Sequence, residues 1–529
     1  MSEDRPPDSN GTPEPPEQFT AADPEAGADA PELTREAALA GGDTVARNAA
    51  FAFASQLATA AFTGVVTIFL VRELGPSGYG VFALALGFAS IALLPADFGI
   101  TQSAARFIAE RRGDSEAVAD VLVNALRIKL ALTSTFAIIL IALAEPIASL
   151  YDAPSLAWPI RGVAVALLGQ SVMLLFSNAF VALGQISTSF RLIFSESAIE
   201  CSSIVVLVLI VGGAGSATAG RAIGYAAGGL IGLLLALRLL GRQAFTRRHG
   251  APPTRRLARY ASALLVIDAS YAVFGQLDLL LVGGLLGTTA AGIYGATIKL
   301  TTFLHYPGLA AANAVAPRMA RHPDHPPDLE SFERAVRYLV LFQAALVAPL
   351  LVWATPITDL LLGSGYEEAA DVIRALTPLV FLKGFAPLLS LSVNYVGEAR
   401  RRVPIAIGLV ILSAVLCIIG IETIGLVGAA IGVDIAFLFY AGAHLWLCRE
   451  IVGLRLRPVL VTTTRAALAA AGFAAILFAL GTGELSALAW IVGGIGGTVS
   501  FIGILVATRE LTLGELVGTI RGLFRGLVS

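Results

Sequence analysis

The chain has 529 residues, 56% hydrophobic and 14% charged, with a mean hydropathy of +0.79 and a formal net charge of −2. An average soluble domain is roughly 45–50% apolar and 25% charged, so a water-soluble globular protein is excluded. Charge-free runs at 49–71, 403–421 and 485–508 each reach the ~20 residues that cross ~30 Å of hydrocarbon, and several such runs make a polytopic membrane protein.

From Met1 to Asp43 there are eleven acidic residues, two basic ones and seven prolines, a composition that cannot bury enough apolar surface to offset chain entropy. Residues 1–43 are therefore expected to be a disordered acidic tail. This stretch lacks the basic and short apolar regions of a cleavable signal, so the first span is expected to direct insertion. Charged and Gly/Pro-rich breaks then place membrane helices near 49–71, 79–98, 119–144, 160–183, 190–212, 218–240, 260–285, 292–316, 335–355, 372–396, 403–421, 424–447, 463–481 and 485–508. Beyond the last span, Leu513, Leu516, Val517, Ile520, Leu523, Phe524 and Leu527 recur at helical spacing, which predicts a short amphipathic helix on the membrane surface within 509–529.

Orientation follows from the cationic side chains. Loops on the N-terminal side hold 26 of the 36 Lys/Arg, whereas loops on the other side hold four: Arg72, Arg161, Arg221 and Arg374. Both termini are then expected in the cytoplasm, with the chain in the cell membrane. Cys201, Cys417 and Cys448 have no metal-ligand spacing, and no nucleotide loop, Rossmann fingerprint or His-Glu-x-x-His pair is present. No cofactor, metal site or nucleic-acid partner is expected.

At a constant offset of 212, Ala46-Arg47-Asn48-Ala49 matches Ala258-Arg259-Tyr260-Ala261. Without a gap, Leu74-Gly75-Pro76-Ser77-Gly78-Tyr79-Gly80-Val81-Phe82 then matches Leu286-Gly287-Thr288-Thr289-Ala290-Ala291-Gly292-Ile293-Tyr294. Each unit holds six spans, an even number, so the copies share one orientation and are related by an axis along the membrane normal. The expected fold is an all-α polytopic membrane protein of about 14 transmembrane helices, in two parallel six-helix lobes plus two C-terminal helices. The expected boundaries are 44–245 and 260–450 for the lobes, 246–259 for a basic cytoplasmic linker, and 460–508 for the final pair.

The stretch Val71-Arg72-Glu73-Leu74-Gly75-Pro76-Ser77-Gly78-Tyr79-Gly80-Val81-Phe82, with Asp97-Phe98-Gly99 and Arg106 after the second span, resembles polysaccharide exporters and O-antigen flippases of the multidrug/oligosaccharidyl-lipid/polysaccharide superfamily. The second lobe repeats the likeness from Asp278 to Tyr294 and at Pro317-Arg318. The resemblance implies a V-shaped pair of lobes that moves a glycan linked to a polyisoprenoid (pyro)phosphate across the bilayer by alternating access through a cationic cavity. Its partners would be that lipid-linked glycan, the bilayer and glycan-assembly enzymes. The protein would be a transporter and not an enzyme.

Ionisable groups inside a bilayer are costly unless they face a cavity or a partner, which makes them the candidates for transport. Arg127 and Lys129 in the third span, Lys299 in the eighth and Lys383 in the tenth are the basic ones. Lys383, Ser390 and Asn394 share a helical stripe at i, i+7 and i+11, and the repeat sets Gln170 and Ser177 against Lys383 and Ser390. These eight residues are the expected substrate contacts, with a lysine attracting the phosphate as a point charge. Glu196, Glu200 and Asp278 are candidates for coupling to an ion. Structural readings stand beside them: Arg127 and Lys129 snorkelling to the interface, Lys383 or Lys299 paired with Asp278, Asp268 or Asp434, and Asp97 capping a helix. A drug or cation antiporter of the same superfamily predicts a carboxylate-rich, lysine-poor cavity. A membrane glycosyltransferase or polymerase predicts a sizeable acidic catalytic loop, which the short loops near 145–159 and 356–371 do not offer.

Overall fold

A computed structural model describes residues 35–241, 254–320, 327–512 and 514–515. The chain divides into two compact units, Met1–Ala50 and Phe51–Ser529. In the first, helical backbone begins at Arg35, inside the segment read from the sequence as tail; residues 1–34 lie outside the described residues. Residues 242–253 of the linker region and most of the expected C-terminal amphipathic helix also lie outside them.

The helices are α1 (Arg35–Asp97), α2 (Ile100–Glu110), α3 (Ser115–Leu150), α4 (Ala157–Ala182), α5 (Ile186–Val211), α6 (Gly213–Leu240), α7 (Thr254–Thr302), α8 (Tyr306–Val315), α9 (Leu329–Val352), α10 (Ala354–Leu361), α11 (Ala369–Tyr395), α12 (Val403–Leu447), α13 (Leu456–Ala479) and α14 (Ala487–Ala507). No strand occurs among the described residues.

Eleven stretches are long and apolar enough to cross a membrane, and three of them, Ala50–Asp97, Ile267–Met319 and Ala399–Val452, run for 48, 53 and 54 residues. A straight helix of 48 residues would extend about 72 Å, more than twice the hydrocarbon thickness. Each of the three doubles back. In α1 the reversal is at Gly75, with φ 64°, which brings Tyr79 on the returning arm back beside Thr67 on the outgoing one. In α7 it is at Gly287, with φ 87°, so the Tyr294 hydroxyl donates to Asp278 Oδ2 at 3.1 Å across 16 residues of chain. In α12 it is at Gly425, with φ 64°, and Gly420 and Gly428 lie backbone against backbone. The described chain therefore makes fourteen crossings. L-residues with a Cβ rarely adopt these left-handed angles, which is why glycine stands at each reversal.

Two short helices, α2 and α10, lie where the sequence was read as loop. Both are too short to span. The turn Phe98-Gly99, with φ 43° and 68°, separates α2 from α1.

Within the first half, α4 packs on α3 and α6, and α6 on α5. Gly220, Gly224, Gly228 and Gly232 recur every fourth residue along α6, and a Cβ on the first three would strike Ile204, Glu200 and Glu196 of α5. Small residues at this spacing let backbones approach closely without a hydrophobic driving force in lipid. In the second half α7 packs on α12, α11 on α8, α9 and α12, and α13 on α9 and α14.

The halves meet at the face that carries the Gly75 and Gly287 turns. A Cβ on Gly80 would collide with the Thr288 carbonyl, and one on Gly292 with the Pro76 carbonyl. At the 212-residue offset Gly80 is the mate of Gly292 and Pro76 the mate of Thr288, so the contact is the same one made twice about a two-fold axis. Ser77 Oγ and Thr288 Oγ1 lie 3.2 Å apart in the same seam. Each half also sends a tyrosine hydroxyl to a carbonyl of the other, Tyr151 to Leu280 and Tyr366 to Val71, both at 3.1 Å.

Overpacking a close contact typically costs about 1–3 kcal/mol. Gly80→Val is expected to lower stability by that order in thermal unfolding of the purified protein in detergent, with Gly292→Val behaving alike. A melting temperature unchanged by both substitutions would contradict the seam.

Candidate functional site

Two adjoining hollows, of about 410 and 430 Å³, lie between helices of the two halves. The first is walled by α1, α4 and α6 from one side and α7 and α11 from the other; the second lies chiefly among α1, α4, α5, α6 and α7. Gln170, Arg221 and Lys299 line both.

Lys299 is solvent-accessible in that shared wall. Its charged neighbour is another cation, Arg221, and among the described residues it has no carboxylate at ion-pair distance. Arg221 is tied to Glu200 by an ion pair and donates to the Tyr225 hydroxyl at 2.7 Å. The glycine stripe of α6 is what brings this guanidinium and the α5 carboxylates together. Glu196, one turn before Glu200, is buried, accepts from Ser197 at 3.2 Å, and lines the second hollow with it.

Lys383 lines the first hollow, its Nζ 5.4 Å from the Phe274 ring centre and 5.8 Å from that of Phe437. This is cation–π geometry. Asp278 and Asp434 act on the lysine electrostatically from beyond ion-pair distance. Asp278 is buried, lines the first hollow, and is held by Tyr294 and by the Leu279 amide at 2.8 Å. The first hollow thus carries Arg221, Lys299 and Lys383 against one carboxylate, Asp278; the second carries Arg221 and Lys299 against Glu196 and Glu200.

The remaining sequence-selected residues lie elsewhere, apart from Ser177, which lines the second hollow with its hydroxyl 2.9 Å from that of Ser189. Lys129 is fully buried and donates to Asp97 Oδ1 and Thr101 Oγ1, each at 2.5 Å. It lines neither hollow, and Asp97 serves as its ion-pair partner in place of the expected helix cap. Arg127 is exposed and also lines neither. In α11 the stripe ends at Lys383: the Ser390 hydroxyl donates to the Pro387 carbonyl at 3.1 Å, and Asn394 Oδ1 accepts from Arg402 at 2.6 Å. Asn394 sits about 16 Å along the helix axis from Lys383, one half-bilayer away.

Arg221, Tyr225, Gln276 and His305 line the hollows without having been selected from the sequence. Arg221, counted with the outer-side cations because it lies only three residues inside the expected 218–240 span, stands eight residues into α6, which starts at Gly213. The four-residue glycine spacing was the available signal.

Residues 45–322, more than half of the chain, match the model of a family described as polysaccharide biosynthesis protein. The chain belongs to this family. No curated protein matches it by sequence. Among solved structures it is similar to the lipid II flippase MurJ in an inward closed conformation, at 14% identity and a TM-score of 0.64, covering 87% of this chain and 99% of that one. It is also similar to an inward-facing multidrug resistance MATE family transporter of the MOP superfamily, at 18% identity and a TM-score of 0.59, covering 74% and 95%. A third likeness is the MATE multidrug transporter DinF-BH, at 14% identity and 0.58, covering 78% and 97%. The fold is that of the MOP superfamily, and this polysaccharide biosynthesis family member is a multi-pass membrane protein.

The Lys129–Asp97 pair is structural in this arrangement. Removing one partner strands the other charge among apolar helices, at a cost of about 1–3 kcal/mol after allowing for the part-exposed aspartate. Lys129→Met is expected to lower thermal stability and Lys129→Met with Asp97→Leu to recover most of it. Lost transport at unchanged stability would contradict the structural role.

Proposed function

We propose that this protein flips a lipid-linked oligosaccharide across the cell membrane, the cargo's phosphate or pyrophosphate entering the hollow between the halves. The carrying observation is Lys299, open to both hollows with Arg221 as its charged neighbour and no carboxylate paired to it among the described residues, with Lys383 across the first hollow. Cations without matching carboxylates inside a membrane are costly unless an anion visits them. Membership of a polysaccharide biosynthesis family supports a glycan cargo. Gln170, Gln276 and Ser177 supply amides and a hydroxyl suited to sugar hydroxyls.

The basic loops put both termini in the cytoplasm by the positive-inside rule. The Gly80/Gly292 seam then lies on the outer side, and the cargo enters from the cytoplasm. Alternating access requires the seam to part. Asp278, Glu196 and Glu200 are the carboxylates available to couple that movement to an ion.

A second reading, export of an amphipathic cation, is favoured by Glu196 and Glu200 in the second hollow and by the likeness to MATE transporters. The two readings differ in which charges matter.

In cells, Lys299→Ala and Lys383→Ala at unchanged membrane abundance are expected to cut glycan export about ten-fold each, with glycan-charged carrier accumulating on the inner leaflet. Ser77→Cys with Thr288→Cys is expected to cross-link under oxidation and stop export until reduced. Full export by both lysine variants, with loss only in Glu196→Gln or Glu200→Gln and sensitivity to cationic dyes, would establish the second reading.

A further inference from the structure

The two C-terminal helices lie outside the sequence repeat, and where they join α9 the protein holds a second cluster of cations. A shallow hollow of about 410 Å³ is lined by Arg337, Arg457, Arg465 and Arg509 around the single acid Glu510. It opens at the ends of α9, α13 and α14, on the side of the basic loops, well apart in sequence from the residues of the central hollows.

Glu510 organises the cluster. Its carboxylate is buried, Oε1 accepting from Arg337 Nε at 2.9 Å and from Thr462 Oγ1 at 2.7 Å, and Oε2 from Arg465 at 2.9 Å. Burial pushes its pKa up, but the bonds from Thr462, Arg465 and Arg337 outweigh this and hold it below the ordinary glutamate value. Arg337 also reaches Glu515 at 3.1 Å. One buried carboxylate thus consumes two of the four arginines. Arg457 and Arg509 remain exposed, with no ion pair among the described residues.

Arg509 places a charge where the backbone prefers glycine. It has φ 58° at the end of α14, where the Glu510 amide bonds back to the Leu505 carbonyl at 2.8 Å. This is a left-handed helix-ending position that glycine ordinarily fills. An arginine there accepts strain that glycine would relieve. Beneath the arginines the wall continues as Pro458 and Val461, and Leu460 is exposed beside them, so an apolar surface adjoins the charged one.

From this juxtaposition we infer that the α9–α13–α14 junction binds the phosphate of an anionic membrane lipid, held by the guanidinium forks of Arg457 and Arg509, which are unpaired among the described residues, within the frame set by Glu510. Guanidinium forks match phosphate oxygens in pairs, and basic pockets between transmembrane helices suit anionic headgroups. The site shares no lining residue with the central hollows and does not depend on which cargo they carry.

The test uses the full chain purified in detergent and offered phosphatidylglycerol or phosphatidylcholine, with lipid retention read by native mass spectrometry. Phosphatidylglycerol is expected to be retained in preference, with retention affinity falling about fivefold for Arg457→Gln or Arg509→Gly and roughly thirtyfold for both. Arg509→Gly is expected to lose lipid while melting no lower than the unsubstituted protein, which separates ligand binding from a fold defect. Millimolar inorganic phosphate is expected to leave the lipid in place. Equal retention by the double variant, or equal retention of phosphatidylcholine, would overturn the proposal. Displacement by inorganic phosphate would overturn the lipid assignment in favour of a free-phosphate site.

Discussion

Two glycines meeting across a pseudo-two-fold axis set the frame of this protein. Gly80 and Gly292 each admit the backbone of the other's hairpin at a distance no side chain would allow. The two halves are thereby joined at the face that carries the Gly75 and Gly287 turns, and the hollows lie on the other side of that seam. Because the contact is one half-contact repeated, a single local geometry written twice in the chain makes a self-complementary interface. Glycine, serine and threonine there replace bulky apolar residues, as expected where lipid removes the hydrophobic incentive for helices to associate.

Charge placement follows from the same economy. A bilayer leaves an ionised group few options: a partner, a headgroup or an aqueous pocket. Lys129 takes the first with Asp97, and Arg221 does so with Glu200 while still facing both hollows. Lys299 and Lys383 remain at the pocket wall, the latter against two aromatic rings. At the membrane edge, Arg457 and Arg509 stand where anionic headgroups would lie. Buried pairs fix helices, and unpaired cations mark surfaces where something anionic belongs.

Much of the fold was legible in the sequence. Hydropathy and the alternation of arginine-rich loops define the fourteen crossings, and the 212-residue offset exposes the duplication. What the sequence did not reveal is which distant residues meet. Nothing in the spacing ties Lys129 to Asp97, thirty-two positions earlier, so the lysine could be drawn as a substrate contact. Arg221 sits so near the outer end of the expected 218–240 span that it counts with the loop cations; the α6 glycines, taken at four-residue spacing, are the feature that packs this helix on the α5 carboxylates. The stripe from Lys383 to Asn394 was correct as helical geometry, yet a shared face extends past the depth of the hollow, and its far members bond to Pro387 and Arg402.

The central claim is that the hollow between the halves passes a glycolipid phosphate. Reconstituting the purified chain in vesicles with a fluorescent polyisoprenyl-pyrophosphate oligosaccharide, and separately with an amphipathic cationic dye, tests it most directly. Protein-dependent equilibration of the glycolipid between leaflets is expected, with no protein-dependent movement of the dye. Movement of the dye with the glycolipid left in its original leaflet would contradict it.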